Sequence, residues 1–266
     1  MAQSKHYTER FFRFENDDGA KSIVGNKHYH GVFEVYYLVQ GSCHYFIDNR
    51  CYDITAGDLV LIPEGVIHHT AYSDGYHSRK LMYFSRSLIP SPVSDRLPSL
   101  LYVYRSAALA DDIREIFKTL EREHNSPDPY SDSVIASSVN LLFCLMARNE
   151  NEYPDSSGES EYVTAAVEYI RKSFTERVTL CEAARAVSVS PEHLSRIFRR
   201  ETGFTFSEYL TLIRLKRAEE LLRADRSASV SEIAYACGFN DSNYFSERFK
   251  AHYGTPPARY RREHSV

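Results

Sequence analysis

The fold of the C-terminal part follows from Thr179-Leu-Cys-Glu-Ala-Ala-Arg-Ala-Val187 and its near-repeat fifty residues later, Ser229-Val-Ser-Glu-Ile-Ala-Tyr-Ala-Cys237. Each copy begins with Thr or Ser and has Glu three residues on, the capping-box pattern that starts a helix. A turn and a second short helix follow each copy, and Gly203 and Gly254 predict where those second helices end. A helix, a tight turn and a helix, present twice, are the plan of a DNA-binding domain.

The second helix of each copy has an apolar face and a polar face. The residues predicted to face inward are Leu194, Ile197, Phe198, Tyr244, Phe245 and Phe249. The residues predicted to contact DNA are Glu192, Ser195, Arg196, Arg199, Arg200, Asn243, Ser246, Glu247 and Lys250. Polar side chains of this kind read base edges in a major groove, and the cations contact phosphates. One such helix would be an ordinary solvated surface, but two at matched positions favour DNA binding.

A longer pattern surrounds the repeat. It consists of Ala183-Ala184, Ser190-Pro191, Leu194-Ser-Arg-Ile-Phe198, Glu201-Thr-Gly203, Tyr209, Arg214-x-x-x-Ala218, Leu221-Leu222, Ile233-Ala234, Gly238-Phe239, Tyr244-Phe245, Phe249-Lys250 and Gly254-x-Pro256-x-x-x-Tyr260-Arg261. With these residues the chain from about Glu161 to Arg262 resembles the tandem helix-turn-helix domain of AraC/XylS-family transcriptional regulators. Family members often carry arginine where this chain has Glu247, so the resemblance does not imply an arginine-to-guanine contact there. Glu247 either accepts a hydrogen bond from a cytosine amino group or makes no base contact.

Length, composition and charge set the broad class. The 266 residues suffice for two domains, and no apolar run is long enough to span a bilayer. The polar N-terminus lacks the apolar core of a signal peptide, and five scattered cysteines without metal spacing fit a reducing cytoplasm. Residues 1–160 hold 15 Lys and Arg against 22 Asp and Glu, whereas residues 161–266 hold 17 against 14. The C-terminal part is therefore expected to bind nucleic acid, through placed cations rather than a general basic field.

The N-terminal part is strand-like from about Thr8 to Phe84. The predicted strands are Phe33–Val39, Cys43–Ile47, Asp58–Ile62 and Lys80–Phe84. Turn residues separate them, and many short strands at close spacing predict a small antiparallel barrel or jelly roll.

Three histidines and one glutamate form a second pattern within these strands. His28, His30 and Glu34 have the same parity, so an unbroken strand would place all three on one face, and His68 joins them from a later hairpin. Together with the glycines and the proline of these hairpins, they resemble both motifs of the cupin superfamily, whose motif residues bind a metal inside a barrel. Tyr72 stands where the second motif ends in asparagine. AraC-family sensors commonly have a cupin-like N-terminal domain, so both halves of the chain indicate one family.

Two interpretations of His28, His30, Glu34 and His68 stay open. Such a set suits a divalent transition metal, Zn, Mn, Fe or Ni. The same residues can instead hydrogen-bond a small-molecule effector such as a sugar, with Tyr36 also lining the pocket, or remain as structural remnants. A regulator needs reversible binding more than it needs chemistry, which favours the metal-free pocket. The histidines outside this pattern, expected to be ordinary surface or hydrogen-bonded core residues, are His44, His69 and His77.

A helical period replaces the strand pattern between Ala107 and Glu150. The apolar residues of the two predicted helices are Ile113, Ile116, Phe117 and Leu120, and then Val134, Ile135, Val139, Leu142, Leu145 and Met146. Both helices are expected to cover the barrel. The family resemblance adds an antiparallel contact between two copies of the chain, hence a homodimer.

The sequence thus predicts a two-domain α+β chain, a cupin-like β-barrel with covering helices followed by an all-α tandem helix-turn-helix domain. Residues 1–150 are expected to bind the effector and to dimerise, and 151–160 to form a linker. Residues 161–266 are expected to bind DNA, with helix-turn-helix motifs at about 179–202 and 229–253.

The function predicted from these features is that of a cytoplasmic transcription factor that binds promoter DNA in response to a small molecule. RNA polymerase is a further expected partner, and a membrane is not. Two other classes remain open. One is a constitutive DNA-binding regulator whose barrel only dimerises, which a filled apolar interior would favour. The other is a metal-dependent cupin enzyme, which bound iron or manganese with turnover would favour.

Overall fold

The computed structural model describes residues 11–18, 29–72, 76–89, 91, 93–96, 102–105, 107–148 and 160–264. The chain divides into two compact units, His6–Ser157 and Gly158–Val266. Within the described residues, no helix is long and apolar enough to cross a membrane.

The N-terminal unit contains two antiparallel sheets. Its strands are β1 (Phe12–Asp18), β2 (Phe33–Gln40), β3 (Ser42–Ile47), β4 (Arg50–Thr55), β5 (Leu59–Ile62), β6 (His68–Tyr72), β7 (Ser78–Phe84) and β8 (Val103–Tyr104). The five-stranded sheet has the order β1-β7-β2-β5-β8, and the three-stranded sheet has the order β4-β3-β6. The β-rich fold expected for this part is confirmed, and four predicted strands match β2, β3, β5 and β7 to within about two residues.

Successive residues of β2 pack on opposite faces of the five-stranded sheet, as the period of a strand requires. Tyr36 and Leu38 join Tyr45 of β3 in a buried cluster that both sheets share. Val35 and Tyr37 join the other cluster, which contains helical residues. Because both faces of β2 are covered, its side chains read as an almost continuous apolar run rather than an alternating one.

Two long helices cover the outer face of the five-stranded sheet, as predicted. The helices of this unit are α1 (Val93–Arg96), α2 (Ala110–Asn125) and α3 (Ser131–Arg148). The four apolar residues predicted for α2 are all buried, and so are Ile135, Val139, Leu142 and Met146 of α3. Val134 and Leu145 are only half-buried: Val134 lines a surface groove, and Leu145 packs against the margin of the same core cluster.

The C-terminal unit is entirely helical in its described part. Its helices are α4 (Glu161–Ser173), α5 (Leu180–Ala186), α6 (Pro191–Thr202), α7 (Phe206–Ala224), α8 (Val230–Ala236), α9 (Ser242–Tyr253) and α10 (Pro257–His264). Both capping boxes are formed, with Thr179 before α5 and Ser229 before α8. Gly203 and Gly254 end α6 and α9 in the left-handed conformation. The tandem helix-turn-helix arrangement predicted from the repeat is confirmed.

One inward-facing residue was predicted wrongly. Phe245 and Phe249 of α9 are fully buried, but Tyr244 is 44% exposed. The reason is its position in the first turn of α9, where its ring packs under the guanidinium of Arg248, 5.1 Å from the ring centroid, instead of entering the core.

Candidate functional site

The polar faces of α6 and α9 lie at the surface of the C-terminal unit. Eight of the nine residues predicted to contact DNA are exposed, namely Glu192, Ser195, Arg196, Arg199, Arg200, Asn243, Glu247 and Lys250. Ser246 is half-buried, and its hydroxyl donates to the Ser242 carbonyl at 2.8 Å, which leaves it less suited to read a base.

The cations of these two faces differ in how they are held. Arg200 donates to Glu201 at 2.7 Å, and Arg196 lies 3.3 Å from Nδ1 of His193. Arg199 and Lys250 make no ion pair with any described residue, which suits side chains that contact phosphates. Arg248 is an additional exposed cation outside the set predicted to contact DNA. Its four-residue spacing from Tyr244 was the available signal, since that spacing stacks two side chains on a helix.

Helix α7 holds both helix-turn-helix motifs. Tyr209, near its start, packs edge-on against Phe198 of α6, with ring centroids 5.8 Å apart. Leu215 and Leu222, further along, join the cluster that contains Phe245 and Phe249 of α9. One helix therefore contributes to both cores, so the two second helices are held at a fixed separation.

Three residues predicted to share a site do meet in the N-terminal unit. Nε2 of His30 lies 2.9 Å from Oε2 of Glu34, and Nε2 of His68 lies 3.6 Å from the same oxygen. Glu34 and His68 are buried, 3% and 2% exposed. The fourth predicted residue, His28, lies outside the described residues.

Backbone carbonyls orient both imidazoles of this site. Nδ1 of His30 is 2.8 Å from the Val32 carbonyl, and Nδ1 of His68 is 2.8 Å from the Val66 carbonyl. A carbonyl only accepts, so each Nδ1 carries a proton and each Nε2 points to Glu34. An ionised Glu34 also only accepts, so the 2.9 Å contact between the two side chains is a hydrogen bond from Nε2 of His30 to the carboxylate.

The charge on Glu34 is stabilised by its partners. Burial raises the pKa of this carboxyl, but the hydrogen bond from His30 and the nearby imidazole of His68, with Nε2 at 3.6 Å, outweigh burial and hold the pKa well below its usual value. The Tyr45 hydroxyl donates to Oε1 of Glu34 at 3.1 Å. Both oxygens of the Glu34 carboxylate are therefore held in place by hydrogen bonds from neighbouring side chains.

The other predicted effector residue, Tyr36, lies beside this site and not in it. Its hydroxyl donates to the Tyr72 hydroxyl at 3.3 Å and lies 3.6 Å from Sγ of Cys43. Its ring meets that of Tyr45 edge-on at 5.3 Å, which connects it to Glu34 through one intervening side chain.

The remaining histidines of the strands fall into three environments. His44 is an exposed residue paired with Asp53, as expected for a surface histidine. His69 is buried. His77 is buried as well, but neither of its ring nitrogens has a hydrogen-bond partner among the described residues, so the expectation of a satisfied core residue is wrong.

Comparison with known families gives two matches, one in each of the two compact units. Residues 17–137 match the AraC-like ligand binding domain, and residues 183–263 match a helix-turn-helix domain. The chain belongs to the AraC/XylS family of transcriptional regulators.

The curated relatives that match this AraC-family chain over most of its length are transcriptional regulators. It is 25% identical over 241 residues to the transcriptional activator RhaR of Mannheimia succiniciproducens, a match that covers 88% of this chain and 86% of the relative. It is 25% identical over 244 residues to the transcriptional activator RhaS of Escherichia coli, covering 87% and 85%. A crystal structure of ToxT from Vibrio cholerae is 16% identical, covers 97% of this chain and 99% of that chain, and has a TM-score of 0.42.

The family decides between the function classes that the sequence left open. This AraC-family regulator pairs a ligand-binding domain with a helix-turn-helix domain, so it is a DNA-binding regulator that responds to an effector and not an enzyme. The cupin-like and helix-turn-helix fold classes expected from the sequence are likewise confirmed.

Proposed function

We propose that this regulator reads promoter DNA with the exposed faces of α6 and α9, and that an effector bound between the sheets of its N-terminal unit controls this binding. The observation that carries the DNA part is the exposure of eight polar or charged residues at matched positions of two helices. The proposed domain limits are 1–150 for effector binding and dimerisation, 151–160 for the linker and 161–266 for DNA binding. Ser160 is the only linker residue within the described range.

The residues of these faces divide into two roles. Arg196 lies centrally on α6 and is proposed to read a base edge, together with Glu192, Ser195, Asn243 and Glu247. Arg199, Arg200 and Lys250 are proposed to contact phosphates. Because α7 joins the two motifs rigidly, α6 and α9 are expected to enter major-groove segments about 10 bp apart.

Salt-dependent binding tests these roles. With a selected promoter site, Arg196→Ala should weaken binding by roughly 1–3 kcal/mol and relax specificity at one position. Arg199→Ala or Lys250→Ala should weaken binding to all sequences alike and reduce the salt slope by about one unit. Lys172→Ala, which removes an exposed cation of α4, is the matched control and should change neither quantity. Unchanged affinity of Arg196→Ala at moderate salt would remove α6 from the DNA contact.

The effector is proposed to be a small polar molecule, such as a sugar, that reaches His30, Glu34, His68 and Tyr36. His28 is part of the same proposal from its sequence position alone. Buried imidazoles and a carboxylate next to tyrosine hydroxyls offer hydrogen bonds of both directions within apolar walls. Glu34 already accepts hydrogen bonds from His30 and Tyr45 without any added ion, which supports the metal-free pocket.

A divalent transition metal is the second candidate for this site. One ligand atom from each of His30, Glu34 and His68 lies within 4.8 Å of the others. The backbone carbonyls on both Nδ1 atoms and the Tyr45 hydroxyl on Glu34 are the kind of outer partners that metal ligands have. These residues fit a metal such as Zn, Mn, Fe or Ni, which would replace the Nε2 proton of His30.

Metal content separates the two candidates. Elemental analysis of the purified full chain should find well below one equivalent of transition metal if the pocket binds the effector directly. Stoichiometric metal that disappears in His68→Ala but not in His44→Ala would establish the metal site instead. A promoter reporter should lose its effector response in His30→Ala, while the same protein still binds the promoter site in vitro.

A second copy of the chain is proposed to pack on α3. The surface groove that we call the α3 groove is lined by Tyr130, Ser133, Val134, Ser137, Ser138 and Leu141. Its serines are small enough for another helix to approach closely. Tyr130 and Leu141 are 72% and 50% exposed, and a second copy would bury their apolar surface. A homodimer doubles the number of DNA contacts, which offsets the modest basic surplus of each copy.

Transcription is proposed to rise on DNA binding, through contact with RNA polymerase.

A further inference from the structure

Arg248 is an exposed cation of α9 to which the proposed DNA contact gives no role. Its guanidinium lies over the ring of Tyr244, one helical turn earlier, with Cζ 5.1 Å from the ring centroid. No carboxylate of the described residues pairs with it. Stacking on an aromatic face holds a guanidinium in one direction, and its N–H donors, which lie in the plane of the group, stay available for hydrogen bonds. Arg248 is therefore preorganised for an anion.

The repeat shows that α9 has fewer cations than α6 at corresponding positions. Three exposed positions correspond in the two helices, Arg196 with Glu247, Arg199 with Lys250, and Arg200 with Ala251. Their formal charges sum to +3 in α6 and to zero in α9, and Glu201, which pairs with Arg200, reduces the sum for α6 to +2. Contacts between cations and phosphates supply essentially all of the binding to DNA that is independent of sequence. At the matched positions alone, α9 would therefore bind the backbone more weakly than α6.

The position of Arg248 also differs between the two copies. Its counterpart in α6 is Ile197, which is 3% exposed because α4 packs against α6. The same side of α9 is exposed at Arg248. Packing within the unit explains the apolar residue in the first copy and does not explain the arginine in the second. A contact with a partner outside the unit does explain it.

Arg248 and Lys250 lie on opposite flanks of the face that is proposed to read bases. Successive residues of an α-helix are about 100° apart, which places these two side chains about 160° apart around the axis. Asn243 and Glu247 lie between them, both exposed. A helix in a major groove has a phosphate strand on each side. Two flanking cations therefore suit the two strands, one cation for each.

The flank with Arg248 is the one that faces the first motif. The ring of Tyr244 lies 6.4 Å from that of Phe239, and the guanidinium of Arg214 on α7 lies 5.9 Å from the same Phe239 ring. Nε of Arg214 in turn donates to the Phe174 carbonyl, in the segment that leads into the first motif. The DNA backbone on this side of α9 is thus the part between the two major-groove segments.

We infer that Arg248, held by Tyr244, contacts a backbone phosphate between the two groove segments, on the strand opposite to the one that Lys250 contacts. A guanidinium can donate in its own plane to two oxygens of one phosphate. This inference rests on the proposed DNA contact of α9. It adds to that contact a cation outside the matched positions and the side chain that positions it.

Neutral phosphates test the contact one position at a time. The full chain binds a duplex selected for wild-type affinity, in which methylphosphonate replaces single phosphates on both strands of the α9 half-site, and fluorescence anisotropy gives Kd. Arg248→Ala should weaken binding to the unmodified duplex. It should also abolish the effect of the methylphosphonate between the groove segments and keep the effect of the one on the other strand. Lys250→Ala should give the reverse pattern.

Salt dependence and three further variants complete the test. One phosphate contact contributes about 0.9 to the salt slope, so the affinity lost in Arg248→Ala should shrink about threefold between roughly 50 and 200 mM salt. Tyr244→Phe keeps the ring and should retain the Arg248 pattern, whereas Tyr244→Leu should reduce it. Lys172→Ala, at the exposed cation of α4, should change the effect of no methylphosphonate. Arg248 and Tyr244 are both exposed, so their variants should fold with Tm within a few degrees of wild type.

The outcomes separate this inference from the proposed function. Wild-type affinity in Arg248→Ala, or sensitivity of that variant to every methylphosphonate, would overturn the phosphate contact, and the Lys250→Ala pattern would leave the proposed function standing. Loss of sensitivity on the outer side of the half-site instead would overturn the placement of Arg248. A full Arg248 pattern in Tyr244→Leu would overturn the positioning by Tyr244. If neither Arg248→Ala nor Lys250→Ala changes any position, the DNA contact of α9 is refuted together with the inference.

Discussion

Arg214 and Gly238 both lie against the carbonyl oxygen of Phe174. Nε of Arg214, on α7, donates to this oxygen at 2.7 Å, and Nη2 donates to the Glu176 carbonyl at 2.8 Å. A Cβ added to Gly238, in the turn after α8, would lie 2.4 Å from the same oxygen. The segment between α4 and α5 is thus joined at one point to α7 and to the turn of the second helix-turn-helix motif.

This contact predicts an unusually large effect of one methyl group. Gly238→Ala must place a Cβ against a backbone oxygen, in a residue whose φ is +84°, and should lower the free energy of unfolding by roughly 2–4 kcal/mol. Gly254→Ala is the matched control, since φ there is +76° but nothing lies within 4 Å of the added Cβ. It should cost about 1–2 kcal/mol. Equal effects of the two substitutions in denaturant titration would mean that the Phe174 contact contributes little.

Local chemistry explains why the C-terminal unit could be predicted from the sequence. A capping box needs only residues three positions apart, and Thr179 with Glu182 forms its reciprocal hydrogen bonds as the pattern requires. A glycine that ends a helix, such as Gly203, acts within one turn of its own position. Because the repeat contains these signals twice, the bounds of both motifs followed without any knowledge of long-range contacts.

The N-terminal site depended on contacts that the sequence does not encode locally. Parity placed His30 near Glu34, but the Tyr45 hydroxyl reaches Glu34 from the other sheet, and strand pairing alone decides that. The ring of His77, just before β7, stacks on Tyr72 at the end of β6, and a stacked pair of this kind has no sequence pattern. Tyr244 was misplaced for a related reason, since the first turn of a helix has fewer neighbours to bury a ring.

The hydrogen bonds around Glu34 predict how this residue tolerates substitution. Glu34→Ala should lower the free energy of unfolding of the N-terminal unit by roughly 2–4 kcal/mol, because the donors of His30 and Tyr45 lose their buried acceptor. Glu15→Ala, which removes a carboxylate paired with exposed Arg13 on β1, is the control and should cost less than about 1 kcal/mol. Chemical denaturation followed by tyrosine fluorescence measures both. A loss no larger than that of the control would mean that these hydrogen bonds contribute little to stability.

The α3 groove predicts a surface substitution that changes association and leaves the fold intact. Leu141→Glu places a charge at the centre of the proposed contact and should weaken dimerisation of the full chain by roughly tenfold or more. Lys118→Gln alters net charge by the same amount on the exposed face of α2 and should leave association unchanged. Sedimentation velocity over a concentration series distinguishes the two. A wild-type chain that stays monomeric throughout would refute the dimer itself, and a Leu141→Glu chain that dimerises normally would move the contact elsewhere.

The C-terminal unit should lose stability in mild acid because of His252. This residue of α9 is half-buried, and burial lowers its pKa to about 4 from an unfolded value of about 6.5. Between these values the unfolded chain binds the proton and the folded chain does not, so the free energy of unfolding falls as pH drops. The contribution is complete above pH 6.5 and decreases towards pH 4, by roughly 1–2 kcal/mol once partial solvent exposure is allowed for.

The variant His252→Gln isolates this effect, because it cannot titrate while other ionisable groups are unchanged. Its packing differs from that of the wild type, so the quantity to compare is the pH dependence of stability and not its absolute value. Hydrogen exchange of α9 amides in the full chain, measured from pH 7 to pH 4.5, reports the unfolding of this unit alone. The stability difference between wild type and variant should narrow, or reverse in the variant's favour, as pH falls. Parallel profiles would mean that the imidazole is solvated in the folded chain and titrates at its ordinary pKa, so burial of His252 would not be the source of any acid sensitivity.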